Sequence, residues 1–157
     1  MNPDLTVAAL VEARGRFLLV EEWVAGELVL NQPSGHVEAG ETLIDAVMRE
    51  VVEETAWCFQ PAAVVGVYLW TNPETGRSFL RTAFCGRCHS HDPDLPLDDG
   101  IRRVLWLNRQ QLAARARSLR SPMVLRCIDD FLQGTRHPLD LVTHLDARQA
   151  IATAIVV

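Results

Sequence analysis

Residues 35–57 read GHVEAGETLIDAVMREVVEETAW. Gly35 and Gly40 bracket a short loop, Glu41 follows, and seven residues later come Arg49-Glu50 and then Glu53-Glu54. The stretch from 43 to 55 has helical periodicity. At about 100° per residue, Glu50, Glu53 and Glu54 fall within an arc of about 100°. Leu43, Ile44, Val47, Met48 and Val51 fill the adjoining arc, so the helix is expected to bury an apolar stripe and carry an acidic stripe along its edge. Ala46 falls within the acidic arc and is small enough to leave room beside the carboxylates. Like charges at these spacings cost a few tenths of a kcal/mol per pair. Arg49, one turn before Glu53, balances only one of them. A hard divalent cation with oxygen ligands neutralises the remainder, and a cation so placed holds a diphosphate.

A solvated acidic surface helix uses the same letters, and Glu-x-x-Glu-Glu alone does not separate the two readings. The fixed spacing back to Gly35, Gly40 and Glu41 favours the metal-bearing one. The stretch resembles the Nudix box, G-x5-E-x7-R-E-U-x-E-E-x-G-U with U aliphatic or aromatic, and matches it at every charged position. The resemblance extends to Val20-Glu21-Glu22, to Asn31-Gln32-Pro33-Ser34-Gly35-His36, to Leu119-Arg120-Ser121-Pro122 and to residues 134–139. It spans residues 1–140 and implies an α/β Nudix domain, an α/β/α sandwich with a mixed central sheet. Residues 141–157 form a C-terminal tail of undecided structure. One departure is visible: Ala56 stands where the box has glycine. An alanine forced into the left-handed conformation there costs about 1 kcal/mol.

The resemblance implies metal-dependent hydrolysis of phosphoanhydrides. By position the metal ligands are Glu50, Glu53 and Glu54, joined by a backbone carbonyl at Gly35 or Ser34. The cation is Mg²⁺, with Mn²⁺ as its substitute. Arg49 orients a glutamate, Glu41 anchors the start of the helix, and Gly35 and Gly40 let the loop turn sharply and approach phosphates closely. The general base is either a box glutamate or an acid from a distant loop, where Asp98 and Asp99 fall. The residues outside the box point to the phosphatases of the family. These release orthophosphate from hydroxymethylpyrimidine pyrophosphate, thiamine pyrophosphate and nucleoside di- and triphosphates. The alternatives are another Nudix pyrophosphohydrolase (modified-nucleotide housecleaning with pyrophosphate release, or ADP-ribose cleavage) and a non-catalytic Nudix-fold nucleotide sensor. A sensor typically lacks box carboxylates, and this chain keeps all of them.

Substrate contacts rest on individual residues. Asn31 and Gln32 precede the box and are placed to hydrogen-bond a base. Trp23 and Trp70, in or beside strands, are candidates to stack on a ring, against the ordinary reading of hairpin packing. Arg81 is a candidate phosphate contact, against the polar side of an alternating strand. Arg120 ends the basic run that contains Arg115 and Arg117, turned either to solvent or to the site. His36 is a minor candidate.

The 157 residues suffice for one domain with a proper core, and 48% hydrophobic with 22% charged residues is ordinary for a globular chain. A formal charge of -5 argues against nucleic-acid binding. No apolar run reaches the roughly 18 residues of a membrane span, and Met1-Asn2-Pro3-Asp4 lacks the basic start of a signal peptide. The expectation is a cytoplasmic monomer or weak homodimer acting on a small pyrophosphate or nucleotide. Cys85 and Cys88, followed by His89 and His91, read as two ordinary thiols at a strand end, because Cys58 and Cys127 supply no second ligand pair.

Strands are expected at 5–11, 16–21, 28–30 and 103–107, with Arg14-Gly15 as the first turn. Residues 31–40 form a loop, and 61–70 pairs with 78–85 across a turn at 71–76. Residues 88–100 are a loop. Asn108 caps a helix running through Ala114, with Gln111 completing a capping box. Ser121 caps the next, with Pro122 at its first position, Gly134 past its end, and Val124, Leu125, Ile128, Phe131 and Leu132 as its apolar stripe. Residues 144–157 read equally as helix, strand or tail.

Overall fold

Strand β1 (Asp4–Ala13) carries the apolar run Val7-Ala8-Ala9-Leu10-Val11, all of it buried, as suits a strand covered on both faces. The computed structural model describes residues 2–146. On one side β1 pairs antiparallel with the three-residue β4 (Ser34–His36), and on the other it runs parallel to β6 (Ser78–His91). β5 (Trp57–Thr71) lies antiparallel beyond β6. β2 (Arg16–Val24) meets β1 only at Glu12↔Phe17 and Ala13↔Arg16. It then diverges to pair with β3 (Glu27–Asn31) and β7 (Ile101–Leu107). The seven strands therefore form a mixed group, β4-β1-β6-β5, hinged through one hairpin to an antiparallel group, β3-β2-β7.

Side-chain alternation along β1 divides the core. Val7, Ala9 and Val11 pack with Phe84 and Phe59 beneath Val47 and Val51 of helix α1 (Leu43–Thr55). Leu10 faces the other way, into a core with Phe17, Leu19 and Val65. Leu112 of α2 (Arg109–Ala113) and Cys127 and Ile128 of α3 (Met123–Leu132) cover that side. This is an α/β/α sandwich with a mixed sheet, the architecture the resemblance implies.

Helix α1 begins at Thr42, whose Oγ1 accepts from the Asp45 N–H at 3.0 Å. It ends at Ala56 in the left-handed conformation, φ 61°, so alanine does occupy the strained position expected of the box glycine. The buried face is rotated from the one the apolar pattern indicates. Ala46 lies in the core with Val47 and Val51, while Met48 sits at the rim, 36% exposed. The cause is that Glu50 and Glu54 are themselves buried, so the acidic edge of the helix turns inward.

Other segments depart from the sequence reading. The loop at 31–40 contains β4, and β6 runs on through residues 88–91, paired to the start of β5. Bulges in β5 absorb the irregular pattern that hid this extension. Cys85 and Cys88 thus sit within a strand rather than at its end, and they contact opposite cores. Asn108 and Gln111 make the expected capping box. Ser121 does not cap α3 with its side chain: the hydroxyl is buried and has no hydrogen-bond partner. Residues 144–146 are neither helix nor strand, and 147–157 lie outside the described residues. No helix among the described residues is long and apolar enough to cross a membrane.

Candidate active site

β4 carries Ser34, Gly35 and His36 over the side of α1, held by its pairing with Thr6, Val7 and Ala8. At Gly35 the backbone lies directly against the Glu50 carboxylate, and any Cβ would collide with it. Glycine is required here for close approach, not for a sharp turn, since Gly35 has no positive φ. Gly40 does, at φ 81°.

Arg49 ties this loop to the helix. Its Nε donates to Glu41 Oε1 at 2.8 Å and its Nη2 to Glu41 Oε2 at 3.1 Å. Its Nη1 reaches Glu50 Oε1 at 2.8 Å and Glu53 Oε2 at 3.0 Å, and Nη2 also donates to the His36 carbonyl at 2.9 Å. One planar fork therefore orients two box glutamates and fixes the strand above them. The Arg49 hydrogen bonds hold the Glu41 carboxyl below the usual carboxylate range. Glu41 also accepts from the Glu38 N–H at 3.0 Å.

The loop after β6 returns to the same place. The Asp98 N–H donates to the Glu53 carbonyl at 2.9 Å. Carboxylate oxygens of Glu50, Glu53 and Asp98 lie within 4.8 Å of one another. Asp99 is exposed and outside this group. Glu54 sits deeper, its Oε2 accepting from the Ser34 N–H at 3.3 Å. Burial pushes its carboxyl up to about 9, and the charges of Glu22 and Glu50 add to the shift. Burial also raises Glu50 against the pull of Arg49, and raises Glu22. Of the three expected ligands, Glu50 and Glu53 converge with Asp98, while Glu54 lies outside that group and lines the cavity with Glu22.

Glu22 is a site residue that the sequence reading did not single out. It lies in β2, accepts weakly from Asn31 Nδ2 at 3.4 Å and faces the cavity. Strand alternation is the signal that finds it: Glu21 turns outward to Arg103, so Glu22 turns in.

The cavity holds about 370 Å³. Glu22, Glu50 and Glu54 line it together with Trp70, Phe79, Arg81, Arg120 and Ser121. The Trp70 and Phe79 rings stack, with centroids 5.9 Å apart. Arg81 is buried and donates to Gln32 Oε1 at 3.0 Å and Asn31 Oδ1 at 3.1 Å. Asn31 also donates to Ser34 Oγ at 2.8 Å.

Two residues expected to contact substrate do not line the cavity. Gln32 is 1% exposed and spends its amide on Arg81 and on the Val124 carbonyl at 2.7 Å, so it braces the cavity wall instead of reading a base. Trp23 is 54% exposed and alternates away from Glu22 and Val24, which do line the cavity. Arg115 and Arg117 are exposed, and Arg120 alone of that run reaches the cavity.

The donor set is all oxygen. Three carboxylates converge beside a residue with no Cβ, and a fourth is buried without a cationic partner, an arrangement that suits a hard divalent cation. Glu50, Glu53 and Asp98 would hold it, with Glu54 behind them.

Comparison with known proteins gives three findings. The NUDIX domain family matches residues 2–127. Phosphatase NudJ from Shigella boydii serotype 4 (strain Sb227) is 38% identical over 141 residues, which span 90% of this chain and 91% of that protein, and Phosphatase NudJ from Escherichia coli (strain K12) matches to the same extent. A NUDIX hydrolase from Nitrosomonas europaea superposes with a TM-score of 0.91 at 43% identity, covering 93% of this chain and 99% of that one.

Proposed function

The chain belongs to the Nudix family and is a Nudix hydrolase; from that premise we propose that it is a Mg²⁺-dependent phosphatase that releases orthophosphate from organic pyrophosphates. The proposed substrates are hydroxymethylpyrimidine pyrophosphate, thiamine pyrophosphate and nucleoside di- and triphosphates. The observation that carries this reading is the convergence of Glu50, Glu53 and Asp98, of which Glu50 lies against Gly35 and lines a cavity of about 370 Å³. That volume lies near the lower end of the roughly 300–1,000 Å³ usual for small-molecule sites, which favours compact substrates. The likeness to Phosphatase NudJ supports orthophosphate as the product.

When bound, the cation polarises the phosphoryl oxygens and lowers the pKa of a bound water. The protein's own groups do the rest. Arg49 holds Glu50 and Glu53 in place. Water attacks the terminal phosphorus, the bridging P–O bond breaks, and a carboxylate of the cluster takes the released proton. The retained phosphate leaves with the organic group.

The test is product analysis with purified protein and Mg²⁺ over hydroxymethylpyrimidine pyrophosphate, thiamine pyrophosphate, GTP, GDP and ADP-ribose. Orthophosphate from the first two compounds supports the reading. Pyrophosphate from a nucleotide, or cleavage of ADP-ribose alone, overturns the substrate assignment and leaves a different Nudix hydrolysis.

A further inference from the structure

Arg81 is a buried cation whose hydrogen-bond partners are all neutral. Its Nη1 and Nη2 donate to the amide oxygens of Gln32 and Asn31, and its Nε has no partner. The Cys127 thiol lies beside it, and burial keeps that thiol protonated. Among the described residues no carboxylate forms an ion pair with Arg81, and the same holds for Arg120. Glu22 attracts both arginines across the cavity but hydrogen-bonds to Asn31. Ser121 adds a second orphan, 5% exposed, with its hydroxyl unbonded where a helix cap was expected.

All three side chains line the same cavity as Glu22, Glu50 and Glu54. Two guanidinium groups offer only donors to whatever enters there, the unbonded hydroxyl can add another, and buried charge of this kind calls for a counter-ion. A planar guanidinium matches the oxygens of a phosphoryl group. We propose that Arg81, Arg120 and Ser121 form an oxyanion subsite, independent of the metal, that grips the phosphoryl group retained by the product. The proposal rests on the hydrolase reading for the identity of that group. The neighbouring Trp70–Phe79 pair faces the organic substituent. Selection then depends first on a phosphate chain long enough to reach from the acidic cluster to Arg81, and only second on the ring attached to it.

The test uses the full chain treated with chelator and titrated with inorganic phosphate at fixed ionic strength. Binding is followed by the arginine Nε–Hε resonances and tryptophan fluorescence. The expected result is one saturable event that shifts the Arg81 Nε–Hε signal. Arg120→Gln weakens it about tenfold, the effect of losing one charge-assisted contact. Ser121→Ala weakens it several-fold with no fall in melting temperature, because the hydroxyl makes no bond in the free protein. Absence of saturable binding, or equal binding by the wild type and both variants, overturns the subsite. Mg²⁺-supported hydrolysis is measured on the same preparations. Orthophosphate release without phosphate binding removes the subsite alone; phosphate binding without orthophosphate release removes the phosphatase reading alone.

Discussion

Gly35 and Glu50 share a single space: the glutamate carboxylate lies where any side chain at position 35 would begin. Gly35→Ala is therefore expected to displace Glu50, a proposed metal ligand, without removing it. Misplacement of a catalytic group by about 1 Å can cost about 10²-fold in rate, and the overpacking costs about 1–3 kcal/mol of stability. Steady-state kinetics beside a thermal melt check this. Wild-type turnover in the variant would mean that Glu50 has no exacting position.

Arg49→Lys tests whether the fork or the charge matters. Lysine keeps the charge but cannot reach Glu41, Glu50, Glu53 and the His36 carbonyl together. Loss of such an orienting partner typically costs about 10–100-fold in metal affinity or activity. The expected result is weaker Mg²⁺ activation and lower kcat in a folded protein. An unchanged Mg²⁺ dependence would assign Arg49 to helix packing alone.

Glu54 predicts a pH dependence of stability in the metal-free protein. Its carboxyl is raised from 4.5 to about 9 in the folded state. Between those values the folded chain holds a proton that the unfolded chain releases. Stability is therefore full below about pH 4.5 and declines toward pH 9, at up to about 1.4 kcal/mol per pH unit for one group. Glu50 and Glu22 shift in the same direction and steepen the decline. Melting temperatures in chelator from pH 5 to 9 measure it, and Mg²⁺ should raise the melting temperature more at pH 8.5 than at pH 5.5. Glu54→Gln should flatten the profile and abolish turnover; a full-rate Glu54→Gln enzyme would remove Glu54 from the site.

Ala56→Gly should stabilise the fold. The left-handed φ of 61° at this helix end costs alanine about 1 kcal/mol that glycine does not incur. For a chain of this size the gain corresponds to about 2–4 °C in melting temperature, with kinetics unchanged. A melting temperature that falls would show that the Ala56 methyl packs more favourably than its backbone is strained.

The box was legible because its chemistry is local. Thirteen residues of α1 carry their own periodicity and cap, and the strain at Ala56 follows from one letter. What the sequence hid are the relations made by distant elements. Asp98 joins Glu50 and Glu53 only because its loop hydrogen-bonds back to α1. Gln32 looked free to read a base because nothing local shows that Val124 and Arg81 use both ends of its amide. Trp23 was misplaced for a simpler reason: the strand phase that turns Glu22 inward turns Trp23 out. The bulges of β5 broke the two-residue period, so the outer third of the long hairpin read as loop.

The parallel pairing of β1 with β6 also orders events in time. Thr6 Oγ1 donates to the Leu80 carbonyl across a sequence separation of 74 residues. A closure of that length is entropically expensive and slows folding. Arg81 lies on β6 opposite Thr6, whereas Gly35 and Glu50 fall within the intervening chain. During synthesis the acidic helix therefore emerges before its cavity has a far wall. Until Arg120 and Ser121 have left the ribosome, the growing chain carries the cluster's glutamates without the finished chamber that confines what they bind.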